Sequence, residues 1–380
     1  MFLRTFGGSF AVAAVGLVAG YLYGGGTGLA LAAILAVLEV SLSFDNAVVN
    51  ATVLVRFNPF WQKLFLTLGV AIAVFGMRLV FPLAIVGITA KLNPAEAIRL
   101  AFKGGSVDKH GTYAFLLKDA HPAIAAFGGV FLLMIFLDFI FEEREITWLT
   151  FLERPLARIG KLDQLSVVIT LVVLAVAAKT VGIHSDTSHA DKSGTVLIAG
   201  VLGLATYLAV SALGDFFDES DDDEGDGEDD GDELAAKLER NKTKHVIGKA
   251  AFFLFLYLEV LDASFSFDGV VGAFAITSDP IIIAIGLGIG AMFIRSLTVY
   301  LVRKGTLSEY VYLEHGALWA IGALAVILLI TIEYEVPEVV TGLIGVAFIG
   351  AALISSIIRN RRQDAEDVSA PATASVAAGG

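Results

Sequence analysis

Long apolar runs alternate with short polar segments along almost the whole chain. A helix needs about 20 apolar residues to cross a hydrocarbon core about 30 Å thick. Ten runs qualify as candidates: 8–24, 28–55, 62–88, 121–141, 165–183, 194–214, 246–277, 280–302, 314–332 and 337–358. The pattern therefore predicts an all-α, polytopic membrane protein with about ten transmembrane helices.

One of these runs is too long for a straight crossing. From Val246 to Thr277 it holds 32 residues, which span about 48 Å in a helix. Such a helix either tilts strongly or breaks within the membrane. Glycines at positions 269 and 272 follow the Ser-Phe-Asp step that ends at Asp268. We therefore expect the helix to unwind near that step.

The charges between the runs predict the orientation of the chain. With a cytoplasmic N-terminus, 17 lysines and arginines fall in segments on the inside and 7 in segments on the outside. Cytoplasmic loops of membrane proteins carry this excess of cations. We therefore expect a multi-pass protein of the cell (plasma) membrane with both termini in the cytoplasm.

Composition narrows the choice of partners. The chain is 56% hydrophobic, contains no cysteine and has a net charge of −13. Disulfides and thiolate metal sites are therefore excluded, and the acidic balance makes nucleic acid an unsuitable partner. Much of the acid lies in 215–244, which we expect to be a disordered cytoplasmic loop, as we do for the tail at 361–380.

An internal repeat is visible once the runs are aligned. Residues 43–49 read SFDNAVV and residues 266–271 read SFDGVV. In each copy an acid stands six residues before the motif aspartate, and the next helix carries one arginine. The matching helices lie five apart, so the two copies would cross the membrane in opposite directions, as inverted repeats of transporters do.

The repeat divides the chain into predicted units. They are an N-terminal helix (1–27), a first repeat of helices 2–4 (28–141), connecting helices 5–6 (142–214), the acidic loop (215–244), a second repeat of helices 7–9 (245–334), a last helix (335–360) and the tail (361–380).

Ionisable residues inside the apolar runs carry the functional signal. Each costs roughly 2.5–3.5 kcal/mol at the bilayer centre, so it must be paired, protonated, hydrated or bound to a cation. These residues are Glu39, Asp45, Arg78, Glu259, Asp262, Asp268 and Arg295. Five carboxylates face two arginines and leave up to three negative charges, which one divalent cation and one proton would nearly balance.

The acids and amides predict a site of hard oxygen ligands, which suits Mg²⁺, Ca²⁺ or Mn²⁺. The candidate metal ligands are Glu39, Asp45, Asn46, Asp262 and Asp268. The candidate supporting residues are Ser43, Asn50, Arg78, Glu259, Ser266 and Arg295. On straight helices Asp45 and Asp268 would point about 240° away from their upstream acids, so convergence on one ion requires an unwound turn. A structural ion pair explains the two arginines at least as well as a role in handling the cation.

The same segments resemble a known family. Residues 262–280, DASFSFDGVVGAFAITSDP, followed by IRSL at 294–297, resemble the second signature of the TerC (tellurium-resistance-associated) integral membrane proteins. Leu38-Glu39 with the residues 43–47 looks like the first signature. The resemblance implies the lysine-exporter-like superfamily and export of a metal ion, with Mn²⁺ leading and Ca²⁺ next. The family has Asp-Ser-x-Pro-Ala where this chain has Asp268-Gly-Val-Val-Gly, which marks a divergent subgroup.

Two classes of function remain open on the sequence. The first is a divalent-cation transporter, most simply an exporter, with the cation as substrate, no prosthetic group and no enzymatic activity. The second is a scaffold for membrane-protein assembly or stress response. An intramembrane aspartyl protease is disfavoured because the Gly-x-Gly-Asp step is absent from the apolar runs. Beyond the lipid bilayer and the metal ion, the sequence leaves open whether the chain forms a homo-oligomer.

Overall fold

The computed structural model describes most of the chain. The described residues are 2–69, 71–105, 107–144, 146–160, 162, 164–181, 192–222, 248–277, 279–305, 309–334 and 336–369. The helices among them are α1 (Phe2–Leu42), α2 (Phe44–Leu54), α3 (Pro59–Leu64), α4 (Phe81–Thr89), α5 (Pro94–Lys103), α6 (Tyr113–Phe141), α7 (Thr150–Ile159), α8 (Leu165–Thr180), α9 (Ser193–Asp222), α10 (Gly248–Ile276), α11 (Pro280–Lys304), α12 (Leu313–Thr331) and α13 (Glu338–Ser369). Two π-helical stretches, Phe65–Gly69 and Ile72–Val80, lie between α3 and α4.

Helices of membrane-spanning length and composition account for much of this fold. Among the described residues, seven are long and apolar enough to cross a membrane. They are Thr5–Ser41, Pro59–Ile88, Tyr113–Phe141, Ser193–Leu213, Pro280–Lys304, Leu313–Thr331 and Val340–Gln363. The described residues form no β-strand. The prediction of an all-α polytopic membrane protein thus agrees with the structure, and ten crossings remain a prediction.

Helix α1 is a hairpin of two antiparallel arms. Its backbone leaves helical geometry at Gly24 and at Gly25, whose φ is 61°. A positive φ costs glycine little because it has no Cβ. A Cβ atom on Gly28 would overlap the carbonyl oxygen of Gly20, although residues eight apart in one straight helix would be about 12 Å apart. The chain therefore reverses direction at this turn, between the predicted first and second helices.

The first arm of α1 packs along α11 in the antiparallel sense. The rings of Phe6 and Tyr300 lie 5.9 Å apart, and those of Phe10 and Phe293 lie 5.2 Å apart. The Ser9 hydroxyl donates to the Met292 carbonyl at 2.9 Å. Residue numbers that rise along the first arm of α1 thus meet residue numbers that fall along α11, so the two helices are antiparallel.

The second arm runs parallel to α11 and ends at a break. Gly28 faces Ile282, and the Glu39 side chain lies on Gly290. Ser43 then separates α1 from α2 with a φ of −98° and a ψ of 17°. The predicted break near Ser-Phe-Asp is therefore present in the first copy of the repeat.

We expect Gly28→Ala to destabilise the hairpin by about 1–3 kcal/mol, the usual cost of forcing an atom into a packed contact. The added methyl would collide with backbone of the opposite arm, which cannot swing aside. Gly26→Ala is the matched control because a Cβ there would meet no atom within 4 Å. Unfolding free energies measured in the same micelles separate the two variants. Equal stability of both would contradict the hairpin.

Helices α6 and α12 form the centre of the largest hydrophobic core. The Phe136 ring lies 5.2 Å from Trp319, and the Phe139 ring lies 5.4 Å from His315. Near the other end of the pair, Gly129 packs against the side chain of Leu329. Residues that rise along one helix meet residues that fall along the other, so the pair is antiparallel.

Helix α10 does not break where the sequence predicted. It is continuous over its 29 residues, a length of about 44 Å. Gly269 does not act as a hinge; it gives room to the carboxylate of Glu39, which a Cβ atom there would approach to 3.0 Å. The excess length therefore calls for tilt or protruding ends rather than an unwound turn.

Two helices extend into segments predicted to be disordered. Helix α9 continues to Asp222, inside the acidic segment 215–244, and α13 continues to Ser369, inside the tail. The remainder of both segments, 223–244 and 370–380, lies outside the described residues.

Candidate functional site

Asp262 stands at the centre of a buried polar cluster. Its side chain is only 4% exposed. Its Oδ1 atom accepts hydrogen bonds from the amide of Asn46 at 3.0 Å and from the amide of Asn50 at 3.2 Å. The two asparagines are four residues apart and therefore share one face of α2. At about 100° per residue, Glu39, Ser43, Asn46 and Asn50 fall within about 60° of one another, so their spacing in the sequence predicts a polar stripe on one helix face. The two asparagines of this stripe fasten α2 to α10.

Arg295 completes the cluster from α11. Its Nη2 donates to Asp262 Oδ2 at 3.0 Å, and its Nη1 donates to Glu259 Oε1 at 3.5 Å. The guanidinium also lies 3.9 Å from the centre of the Phe65 ring, a favourable position for a buried cation. One arginine thus serves two carboxylates that are three residues apart on α10, with the tighter contact to Asp262.

Glu39 and Arg78 form a second buried ion pair. Glu39 Oε1 accepts from the Arg78 guanidinium and from the Ser43 hydroxyl at 3.2 Å. Arg78 also donates to the Ala73 carbonyl at 2.6 Å. Both charged side chains are at least 95% buried, so each depends on the other for compensation of its charge.

The two ion pairs correspond to one another within the predicted repeat. In each copy the acid upstream of the motif aspartate pairs with the arginine of the next helix. The pairs also touch the opposite copy, because Glu39 lies against Gly269 of α10 and Asp262 bonds to Asn46 of α2. From Glu39 to Asn46 the residue numbers rise, while their contacts on α10 fall from Gly269 to Asp262. The segment that contains Glu39 and Asn46 therefore runs antiparallel to α10.

Asp45 lies on the other side of α2. It is 6% exposed, its Oδ1 accepts from the Asn46 backbone N–H at 2.9 Å, and its carboxylate is packed against Gly345 of α13. It therefore does not join Asp262, in keeping with its different angular position on the helix. The side chains of Ser266 and Asp268 lie outside the described part of the structure.

Three buried oxygen atoms in the cluster have no hydrogen-bond partner. They are Asn46 Oδ1, Asn50 Oδ1 and Glu259 Oε2. The orientation of both amides is fixed, because an ionised carboxylate accepts only and must face their NH₂ groups. Buried acceptors that are left unsatisfied are rare and costly. Amide and carboxylate oxygens of this kind are ligands for hard cations.

The cluster as described is a polar centre and not a complete metal cage. Among the described side chains, no group of three or more His, Cys, Asp and Glu is placed to hold a metal ion. The carboxylates at the centre are compensated by arginine, and the remaining donors are amides. The four buried carboxylates described on α1, α2 and α10 (Glu39, Asp45, Glu259 and Asp262) outnumber Arg78 and Arg295 by two, and one of the four, Asp45, lies apart from the cluster.

The comparison with protein families identifies the family of the chain. A model of the family described as "Protein of unknown function (DUF475)" matches residues 44–363. The chain belongs to the DUF475 family. Comparison with curated proteins gives no match, and comparison with solved structures gives none.

The DUF475 match includes most of the polar centre. It covers Asp45 and both asparagines of α2 as well as Glu259, Asp262 and Arg295, and it begins after Glu39. The Glu39–Arg78 pair thus joins a residue before the matched segment to one inside it.

Sequence reasoning missed two residues of this centre. Phe65 lies under Arg295, and only the three-dimensional arrangement reveals that contact. Gly290 accommodates the side chain of Glu39. Its signal was present in the sequence, because glycines at 286, 288 and 290 alternate within an apolar helix, and small residues allow close helix approach in membranes.

Proposed function

We propose that this DUF475 protein transports a divalent metal cation across the membrane, with Mn²⁺ favoured and Ca²⁺ next, through the centre around Asp262. The observation that carries the proposal is the set of unpartnered buried oxygens on Asn46, Asn50 and Glu259. Asn46 and Asn50 of α2 donate to the Asp262 carboxylate, and Arg295 of α11 joins Asp262 to Glu259. Charged groups at membrane depth mark ion pathways by default.

Charge balance supports a divalent ion. Around the centre, the described carboxylates Glu39, Glu259 and Asp262 face Arg78 and Arg295, which leaves one negative charge in excess. Asp45 on the other side of α2 and Asp268 on α10 add further acids. A bound M²⁺ ion would neutralise this excess without calling on water. Arg295 would compete with the ion for Asp262 while keeping Glu259 as an alternative partner. Such competition suits transport, in which binding must be strong enough for entry and weak enough for release.

The direction of the helices supports an inverted repeat with a shared site. Segments that correspond in the two copies run antiparallel where they touch: the polar stripe and α10, the π-helical stretch and α11, and α6 and α12. The pseudo-symmetric arrangement of transporters places the substrate where the copies meet, near the bilayer midplane. We extend the proposal to ten crossings in the plasma membrane with both termini in the cytoplasm.

The resemblance to TerC proteins supports metal export in particular. Glu39, Asp45, Asn46, Asp262 and Asp268 stand where that family carries its polar signatures. The arrangement of Asp262 with Asn46 and Asn50 gives two of those positions a common role. After Asp268 this chain has Gly-Val-Val-Gly where TerC proteins have Ser-x-Pro-Ala. The preference among metal ions therefore has to be measured for this chain.

Purified protein in sealed proteoliposomes should conduct Mn²⁺. A fluorescent metal indicator inside the vesicles reports the flux, protein-free vesicles give the background, and Ca²⁺ and Mg²⁺ serve as competitors. We expect Mn²⁺ flux that excess Ca²⁺ reduces and Mg²⁺ reduces less, because Mg²⁺ sheds its water reluctantly. In cells, the protein should lower manganese content and raise manganese tolerance. No flux of any of the three ions would contradict transport and favour the scaffold.

A further inference from the structure

A wide apolar groove opens on the outer surface of the helix bundle, and Asp262 is not among its lining residues. Its volume is about 960 Å³, at the upper end of the roughly 300–1,000 Å³ of ligand pockets. Its walls come from the first arm of α1, the π-helical stretch with the start of α4, the amphipathic helix α5, and α11. Three of these four walls are candidate membrane spans, so in a bilayer we expect the groove to face acyl chains.

The lining of the groove is almost wholly aliphatic and aromatic. Arg78 is the one charged residue among the lining side chains, and it is directed to Glu39. Several lining residues are open to the surroundings: Val15 is 71% exposed, Phe75 62% and Phe102 63%. The groove is therefore accessible from the bilayer and offers contact area to a flexible apolar chain.

Helix α5 forms the rim of the groove. Pro94 begins the helix, and a capping box joins Asn93 and Glu96 through hydrogen bonds of 2.9 and 3.2 Å. This arrangement satisfies backbone N–H groups at the helix start and fixes the orientation of α5. Ile98 and Phe102 line the groove. Amphipathic helices of this kind lie in the membrane interface.

The polar flank of α5 is basic in an acidic protein. Arg99 and Lys103 are four residues apart and lie on one line along the helix, and both are exposed. Lys91 precedes the helix, and Glu96 is the one acid between residues 90 and 105. This local excess of cations contrasts with the net charge of −13 for the whole chain. Cations at the interface attract anionic headgroups.

We infer that the groove binds an anionic phospholipid of the surrounding bilayer. An acyl chain lies against Val15, Phe75 and Phe102, and the headgroup is bound by Arg99 and Lys103. The apolar lining of the groove alone would accept the acyl chain of any lipid. The positive charge of Arg99 and Lys103 therefore determines the preference for an anionic headgroup. The inference does not depend on cation transport, because neither Asp262 nor its bonding partners line the groove and Arg78 is directed to Glu39.

Quenching of a tryptophan in the groove tests this inference. The full-length Phe102→Trp variant is reconstituted in phosphatidylcholine vesicles that contain phosphatidylglycerol, with the acyl chains of one lipid or the other brominated. The native protein, with its tryptophans at 61, 148 and 319, gives the background. We expect brominated phosphatidylglycerol to quench Trp fluorescence with an apparent affinity about 5-fold or more above that of brominated phosphatidylcholine, since one interfacial cation gives about that factor.

Charge removal at the rim provides the second arm of the experiment. Arg99→Gln with Lys103→Gln should reduce the preference to near one while quenching by both lipids persists. Arg154→Gln with Arg158→Gln is the matched control, because it removes two exposed arginines at the same spacing from α7 and should leave the preference unchanged. Equal quenching by both lipids before charge removal, or equal loss of preference in the two double variants, would overturn the inference.

Discussion

Replacing Asp262 by asparagine is expected to reduce the initial rate of Mn²⁺ transport by about 100-fold or more. Asparagine preserves the size of the side chain but removes the negative charge that faces Arg295 at 3.0 Å. The arginine would then face the site with only the weaker Glu259 contact. An amide cannot supply the anionic oxygen ligand that a hard divalent cation prefers, and a loss of about 2.8 kcal/mol in binding corresponds to a factor of about 100. Proteoliposome flux at matched protein density provides the measurement.

Asp279→Asn is the matched control for this loss. Asp279 precedes α11 and accepts from the backbone N–H groups of Ile281 and Ile282 at 2.9 and 3.3 Å. Asparagine caps helices as well as aspartate does, so the control should retain both stability and flux. Unfolding of Asp262→Asn is checked separately by its melting behaviour in micelles. A folded Asp262→Asn protein that transports Mn²⁺ within 2-fold of the native rate would remove Asp262 from the pathway.

Breaking the Glu39–Arg78 pair is expected to have the largest effect on stability. Glu39→Gln leaves a buried arginine without its counter-charge, and Arg78→Met leaves a buried carboxylate. Each change should reduce the unfolding free energy by about 3–5 kcal/mol. The double variant should recover much of that loss, because replacing a complete buried pair by groups without charge is often nearly neutral. A double-mutant cycle from denaturant unfolding yields the coupling energy.

The half-exposed pair of Lys192 and Asp119 is the comparison for that cycle. Its side chains are 27% and 39% exposed, and solvent-exposed pairs contribute about 0–1 kcal/mol. Lys192→Gln with Asp119→Asn should therefore show little coupling. If the buried cycle gave a coupling energy as small as this one, the pair between Glu39 and Arg78 would have no special part in holding the repeat together.

The sequence predicted the polar stripe because that feature depends on local spacing. It also predicted that the two arginines could form buried ion pairs, but it did not predict Glu39 as the partner of Arg78 or Asp262 as the partner of Arg295. Residues at intervals of three and four share a helix face, so Ser43 lies with Glu39, and Asn46 with Asn50. An embedded arginine needs a carboxylate, so the pairing of Arg78 and Arg295 with acids follows from the cost of burial. The same spacing predicted that Asp45 would diverge from Glu39.

Other features depend on contacts that no local pattern encodes. The sequence predicted a break near the Ser-Phe-Asp step of the second copy, yet α10 is continuous there, and Gly269 makes room for Glu39. The break lies instead at Ser43 in the first copy. The position of Asp45 against Gly345 depends on where the last helix packs, and neither residue signals the other along the chain. The hairpin of α1 was expected only as two separate runs, and its packing along α11 appeared with the structure.

The π-helical stretch from Ile72 to Val80 places Arg78 in a backbone of wide turns. In a π-helix each backbone hydrogen bond joins residues five apart, whereas in an α-helix it joins residues four apart. Short π-helical stretches are frequent at functional sites. Tightening a single wide turn to the ordinary pitch would rotate every side chain beyond it by about 100° about the axis. The guanidinium would then swing off Glu39 while both helices keep their positions. A one-residue slip within this segment would therefore break the Glu39–Arg78 pair without moving either helix as a body.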